Sequence, residues 1–148
     1  MKKYYQIALV ALVCLFSFQV TACADNDKPS DFTQLPTAAQ QLVKKYFPTQ
    51  KVAATTVESG LLQKSYDVVF ASTDKIEFDS KGNWTEISCR KSAVPTALVP
   101  AAITNYVKNT YEGSTILSIE KERNEYEIHL ANGLEITFNS KFQVIDID

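Results

Sequence analysis

The sequence predicts an α+β fold: a tandem repeat of one helix plus a four-stranded antiparallel meander, with the helices packed on one face of the sheet. Three observations predict it. "FNSK" at 138–141 nearly restates "FDSK" at 78–81 with a shift of 60 residues. "LPTAAQQLVKKYF" at 35–47 likewise aligns with "VPAAITNYVKNTY" at 99–111 with a shift of 64. After each of those stretches the apolar period changes from three-and-four to two, the sign of a helix giving way to strands.

The N-terminus stands outside the fold. Lys2 and Lys3 precede an apolar run over 7–18 and then the small residues of "VTACADND", the order of a secretory signal occupying 1–24. The run holds twelve residues, against roughly 20 for a membrane-spanning helix, so no transmembrane span is expected in the mature chain. Two cleavages compete. "ACA" before Asp25 suits ordinary signal peptidase, whereas "VTAC" resembles the lipobox in which Cys23 becomes the lipidated first residue. The protein is therefore expected to be exported: periplasmic by the first route, anchored in the envelope through a lipid by the second.

Removing 24 of 148 residues leaves 124, with 13 basic against 17 acidic side chains and a net charge of −4. That is a single-domain size, and it lacks the basic face a nucleic-acid binder needs. Residues 25–34 read as a flexible leader. Its "DNDKPSD" clusters carboxylates but has neither the turn glycine nor the distal glutamate of a calcium loop.

The first unit covers 35–90. Ala39, Leu42, Val43, Tyr46 and Phe47 form one apolar helix face, Pro36 suits the first turn and Pro48 ends the helix. Strands are expected at 51–57, 64–71, 75–78 and 84–90. Tyr66, Val68, Phe70, Ile76 and Phe78 alternate onto a core face. The second unit, 91–148, repeats this. Ile103, Tyr106, Val107 and Tyr111 line its helix, with strands at 115–121, 125–131, 134–138 and 142–147 and the core set Tyr126, Ile128, Leu130, Ile136 and Phe138. The first unit carries a four-residue insertion near "ESGLLQK" at 58–64, where the second has the tight "KERN" at 121–124. A unit of about 55 residues buries only about 60% of its surface, so the two are expected to form one compact body, either as a continuous eight-stranded sheet or as two tightly abutting sheets, with both helices on one face. The joint over 90–99 packs through Val94, Leu98 and Val99.

Chemistry is sparse. Cys14 leaves with the signal, so Cys89 remains as a free thiol and reads as a small buried hydrophobe. His129, the sole histidine, has no ligand set beside it in sequence and reads as an exposed strand residue. Glu77, Glu86, Glu127, Glu135 and Asp146 share a sheet face, which reads as the solvated one. No catalytic residue, metal site or cofactor is assigned, and the chain reads as non-enzymatic.

With Ile87 and Ile147 inward, strand parity turns Trp84, Glu86, Asp67, Val69, Lys75 and Glu77 outward, together with Val144, Asp146, Glu127, His129, Glu135 and Thr137. The expected partner contacts are Trp84, Val69, His129 and Val144 on this face, with Leu61 and Leu62 in the inserted loop; tryptophan leads because it is enriched at binding hot spots.

The "LP-x-A-A" helix start, "KVA" at 51–53, "Y-x-V-x-F" at 66–70 and "F-D-x-K-G-N-W-x-E-I" at 78–87 resemble the PepSY-like, beta-lactamase-inhibitor-like proteins of Bacteroides. The likeness spans 33–148 and implies a fold similar to the beta-lactamase inhibitory protein, with no catalytic residues and no ligand. The second unit departs from the pattern at Phe142 and Gln143, where the first has Gly82 and Asn83, so a different last hairpin turn is expected. The functional expectation is an exported, non-catalytic, inhibitor-like binding protein that holds a protein partner of the envelope on its open sheet face. The alternative is a small-ligand or lipid carrier.

Overall fold

A computed structural model describes residues 28–60 and 64–148. In chain order the elements are β1 (Lys28–Ser30), α1 (Thr37–Tyr46), β2 (Val52–Ser59), β3 (Lys64–Phe70), β4 (Lys75–Phe78), β5 (Trp84–Ser88), α2 (Ala101–Thr110), β6 (Ile116–Glu122), β7 (Glu125–Leu130), β8 (Glu135–Asn139) and β9 (Val144–Ile147), with a 3-10 turn ahead of each helix. The signal, Cys23, Leu61 and Leu62 lie outside the described residues.

The expected tandem of helix-plus-four-strand units is corrected by the sheet itself. All nine strands form one antiparallel sheet in strict sequence order, β1 to β9, and two helices accompany it. β5 pairs with β6 through Glu86↔Glu120, Ile87↔Ile119 and Ser88↔Ser118, across the expected boundary between units. The physical reason is that separate four-stranded sheets would leave β5 and β6 as open edges with unpaired backbone groups. Their pairing also carries the apolar face through without a break. The segment read as a flexible leader adds the ninth strand, β1, whose Ser30 carbonyl accepts the Thr55 hydroxyl of β2.

The register draws the core as a straight line. Val68, Ile76, Ile87, Ile119, Ile128 and Ile136 stand opposite one another across β3 to β8, and none is exposed. Each such side chain contributes about 2 kcal/mol by leaving water. Both helices cover this face. α1 buries Ala39 and Val43, and Phe47 just beyond it stacks on Phe70 at 5.2 Å; α2 buries Ile103 and Val107, and its Tyr106 meets Phe138 edge-on at 5.4 Å. Among the described residues no helix lies on the opposite sheet face.

Of the four register shifts among the described strands, two redirect residues expected on the outer face. In β4–β5 the register shifts between Glu77 and Phe78, so Trp84 stands opposite Phe78, on the helix side. An extra residue in one strand reverses parity beyond it. Trp84 is thus half-buried against the core rather than outward, and the same shift in β8–β9 sets Val144 opposite Phe138. The last hairpin turn also differs from expectation, because Phe142 adopts the left-handed backbone (φ 58°) that Gly82 has in the earlier one (φ 85°). Asn139 accepts the N–H groups of Lys141 and Gln143 there, as Asp79 does from Lys81 and Asn83.

Candidate functional site

The helix-free face is organised by the same register as the core, one residue out of phase. Asp67, Glu77, Glu86, Glu120 and Glu127 are successive cross-strand neighbours on β3, β4, β5, β6 and β7, and Thr137 and Asp146 continue the line on β8 and β9. Five carboxylates therefore run straight across five adjacent strands. Beside Glu120 and Glu127, Glu122 stands opposite Glu125 on the same face, which puts two acidic pairs side by side on the β6–β7 hairpin. Like charges directly opposite destabilise a sheet.

A lysine counters this charge toward one end, and an imidazole stands among the carboxylates toward the other. Lys75 of β4 bridges Asp67, at 3.1 Å, and Glu77. Burial works against its charge, yet the hydrogen bonds and fields of those carboxylates hold its ammonium well above the usual lysine range. On the neighbouring strands His129 lies between Glu127, at 3.4 Å from Nε2, and Glu135, at 3.3 Å from Nδ1. In the middle, Glu86 is pushed up from the ordinary carboxylate value by burial and then by Glu77 and Glu120. Glu127 is pushed up by burial and by Glu135, against the pull of His129.

The residues expected at a contact surface are thus divided. Val69, opposite Lys75, and His129, opposite Glu135, lie on the helix-free face. Trp84 and Val144 do not. Trp84 instead lines a cleft of about 450 Å³ with Asp79, Asn83, Thr85, Lys121, Arg123 and Tyr126. Cys89 is wholly buried just past β5, and burial, with the nearby Asp74 charge, pushes its thiol up to about 11. Such a thiol is a packing group rather than a nucleophile.

Sequence reasoning placed five acids on a common face but missed their alignment and the grouping of Glu127, His129 and Glu135. One donor atom from each of those three lies within 4.8 Å of the others. The available signal was the "E-x-H" of β7 followed by a short turn, which returns the chain so that Glu135 meets His129.

Among the described residues no helix is long and apolar enough to cross a membrane. The family described as "Putative beta-lactamase-inhibitor-like, PepSY-like" matches over residues 64–146. No protein of curated function matches the chain. Among solved structures, a periplasmic protein of the DUF2874 family from Bacteroides vulgatus is similar at 50% identity and a TM-score of 0.83, covering 84% of this chain and 98% of its own. A second, from Bacteroides thetaiotaomicron and described as "a putative calcium-regulated periplasmic protein", shares 47% identity at a TM-score of 0.81, with 84% and 98% covered. A third, a periplasmic protein of unknown function from Bacteroides vulgatus, shares 38% identity at a TM-score of 0.78, with 82% and 98% covered.

Proposed function

From the premise that the chain belongs to the PepSY-like, beta-lactamase-inhibitor-like family of periplasmic proteins, we propose that it is a non-catalytic binding protein whose helix-free sheet face holds a basic protein partner. The observation that carries the reading is the unbroken row Asp67, Glu77, Glu86, Glu120 and Glu127. Each unrelieved like-charge pair costs the fold roughly 0.2–1 kcal/mol. A face of lysines and arginines laid along the row offsets that cost on binding, and the field of the row speeds encounter.

Calcium is a second reading favoured by two specific observations. Glu120, Glu122, Glu125 and Glu127 offer an all-oxygen donor set, the chemistry a hard divalent cation takes. The relative described as calcium-regulated is 47% identical. Calcium on the row would then compete with the basic partner and release it. A carrier role has less support: the cleft of about 450 Å³ beside Trp84 is lined mostly by polar and charged side chains, and the one between α2 and the segment before it is about 240 Å³, under the roughly 300–1,000 Å³ of small-molecule sites.

The test is crosslinking in the native envelope, with capture repeated as salt and calcium rise. A basic protein that is captured by the wild type, released by salt and lost when Glu86 and Glu120 are both changed to Lys supports the reading. Capture that ignores both salt and the double change would overturn it.

A further inference from the structure

We propose that Glu127, His129 and Glu135 form a binding site for a borderline transition-metal ion, with Zn²⁺ as its representative. The site is separate in chemistry from the calcium reading, because an imidazole nitrogen selects zinc-like ions over hard ones, and it does not rest on the basic-partner reading.

The three residues are set by regular strand geometry. Glu127 and His129 are two apart on β7 and so share a face, and Glu135 of β8 is the cross-strand partner of His129. Ile128 and Ile136, between them on the other face, are fully buried and fix the rotation of both strands. Donors mounted on such strands keep their spacing without a loop having to order.

The distances suit an ion better than direct pairing. His129 lies 3.4 Å from Glu127 and 3.3 Å from Glu135, whereas a charge-assisted hydrogen bond is shorter, about 2.7–2.9 Å. Donors around a tetrahedral ion at 2.0–2.1 Å stand about 3.3 Å apart. An ion seated on Nε2 takes Glu127 as an oxygen ligand and leaves Nδ1–H to donate to Glu135, the arrangement in which a carboxylate orients a metal-bound imidazole. Glu135 in this role orients the ring rather than ligating the ion, within a cluster in which one donor atom of each residue lies within 4.8 Å of the others. Water completes the coordination, the His129 side chain being 49% exposed.

The experiment uses the untagged mature chain, titrated with zinc chloride and separately with calcium chloride. Because the chain has a single histidine, every imidazole signal in its NMR spectrum reports on this site. The expected result is that Zn²⁺ shifts those signals to saturation at one equivalent while Ca²⁺ leaves them in place. In calorimetry His129→Gln and Glu135→Gln should each weaken Zn²⁺ binding roughly tenfold or more. Imidazole signals that Zn²⁺ does not move, or a Zn²⁺ affinity that His129→Gln leaves unchanged, would overturn the proposal.

Discussion

Glu120 of β6 stands directly across from Glu127 of β7, and its neighbour on the other side, Glu86 of β5, is a glutamate as well. The register that imposes this is held from beneath by Ile87, Ile119 and Ile128, all fully buried. The core thus fixes a charge arrangement that the face itself opposes.

Reversing one charge at the centre of the row should therefore stabilise the protein. Glu120→Lys places an ammonium between Glu86 and Glu127 and replaces two repulsions by two attractions. Denaturant unfolding should show a gain of about 1 kcal/mol, while capture of a basic partner falls. A variant that is less stable than the wild type, or equally active in capture, contradicts the account of the face.

Glu86 should make stability depend on pH in the unusual direction for a carboxylate. Its folded value lies above the ordinary 4.5, first because of burial and then because of Glu77 and Glu120. The folded state therefore binds the proton more readily than the unfolded one, and stability declines as pH rises from 4.5 through the raised folded value. Glu86→Gln should accordingly raise the unfolding midpoint at pH 7. The gain should shrink as pH falls through that window and vanish below about pH 4, where the carboxyl is largely protonated in both states. A gain that is constant across pH would place the effect elsewhere.

Asp74, only 1% exposed, joins three segments through one carboxylate. It accepts from Gln50 Nε2 at 2.7 Å, from the Arg90 backbone N–H at 3.0 Å and from Ser92 Oγ at 3.1 Å. Asp74→Ala leaves those donors without their acceptor and should cost about 3 kcal/mol. Asp74→Asn keeps one oxygen and should cost about half that. Urea unfolding gives both values, and hydrogen exchange at the Arg90 amide should quicken in the Ala variant.

Much of this was legible in local pattern. The three-and-four spacing over 35–47 matches α1 at Thr37–Tyr46, and period-two alternation assigns Val68, Phe70, Ile76 and Phe78 correctly to the core face. Glu77, Glu86, Glu127, Glu135 and Asp146 were likewise seen to share a face. What escaped is set by register between strands. No local pattern says that Ile87 meets Ile119, so the repeat leaves open whether its strands form one continuous sheet or two abutting ones, and the β5–β6 pairing decides it. The bulge that turns Trp84 inward follows from how the Asp79 turn closes the hairpin, one extra residue that parity counting passes over. Alignment of the carboxylates, and the meeting of His129 with Glu135, depend on those same pairings.

The contact between the β4–β5 turn and the start of α1 gives the last prediction, a contrast between two glycines with the same backbone. Gly82 (φ +85°) and Gly133 (φ +90°) both occupy the left-handed region, where an added Cβ is strained by about 1 kcal/mol. They differ in what surrounds them. A Cβ on Gly82 would come within 2.8 Å of Pro36 Cβ and 2.9 Å of the Ala39 backbone nitrogen, whereas nothing lies within 4 Å of one on Gly133. Backbone cannot yield as a flexible side chain does, so Gly82→Ala must also push α1 away from the sheet and open the packing of Ala39. Gly133→Ala should cost about 1 kcal/mol, and Gly82→Ala about 3 kcal/mol or more, the further loss being overpacking. Unfolding curves of the two variants side by side separate the terms, because backbone strain is common to both. Equal losses would mean that the turn and α1 do not pack as described, and that the helix is free to move over the sheet.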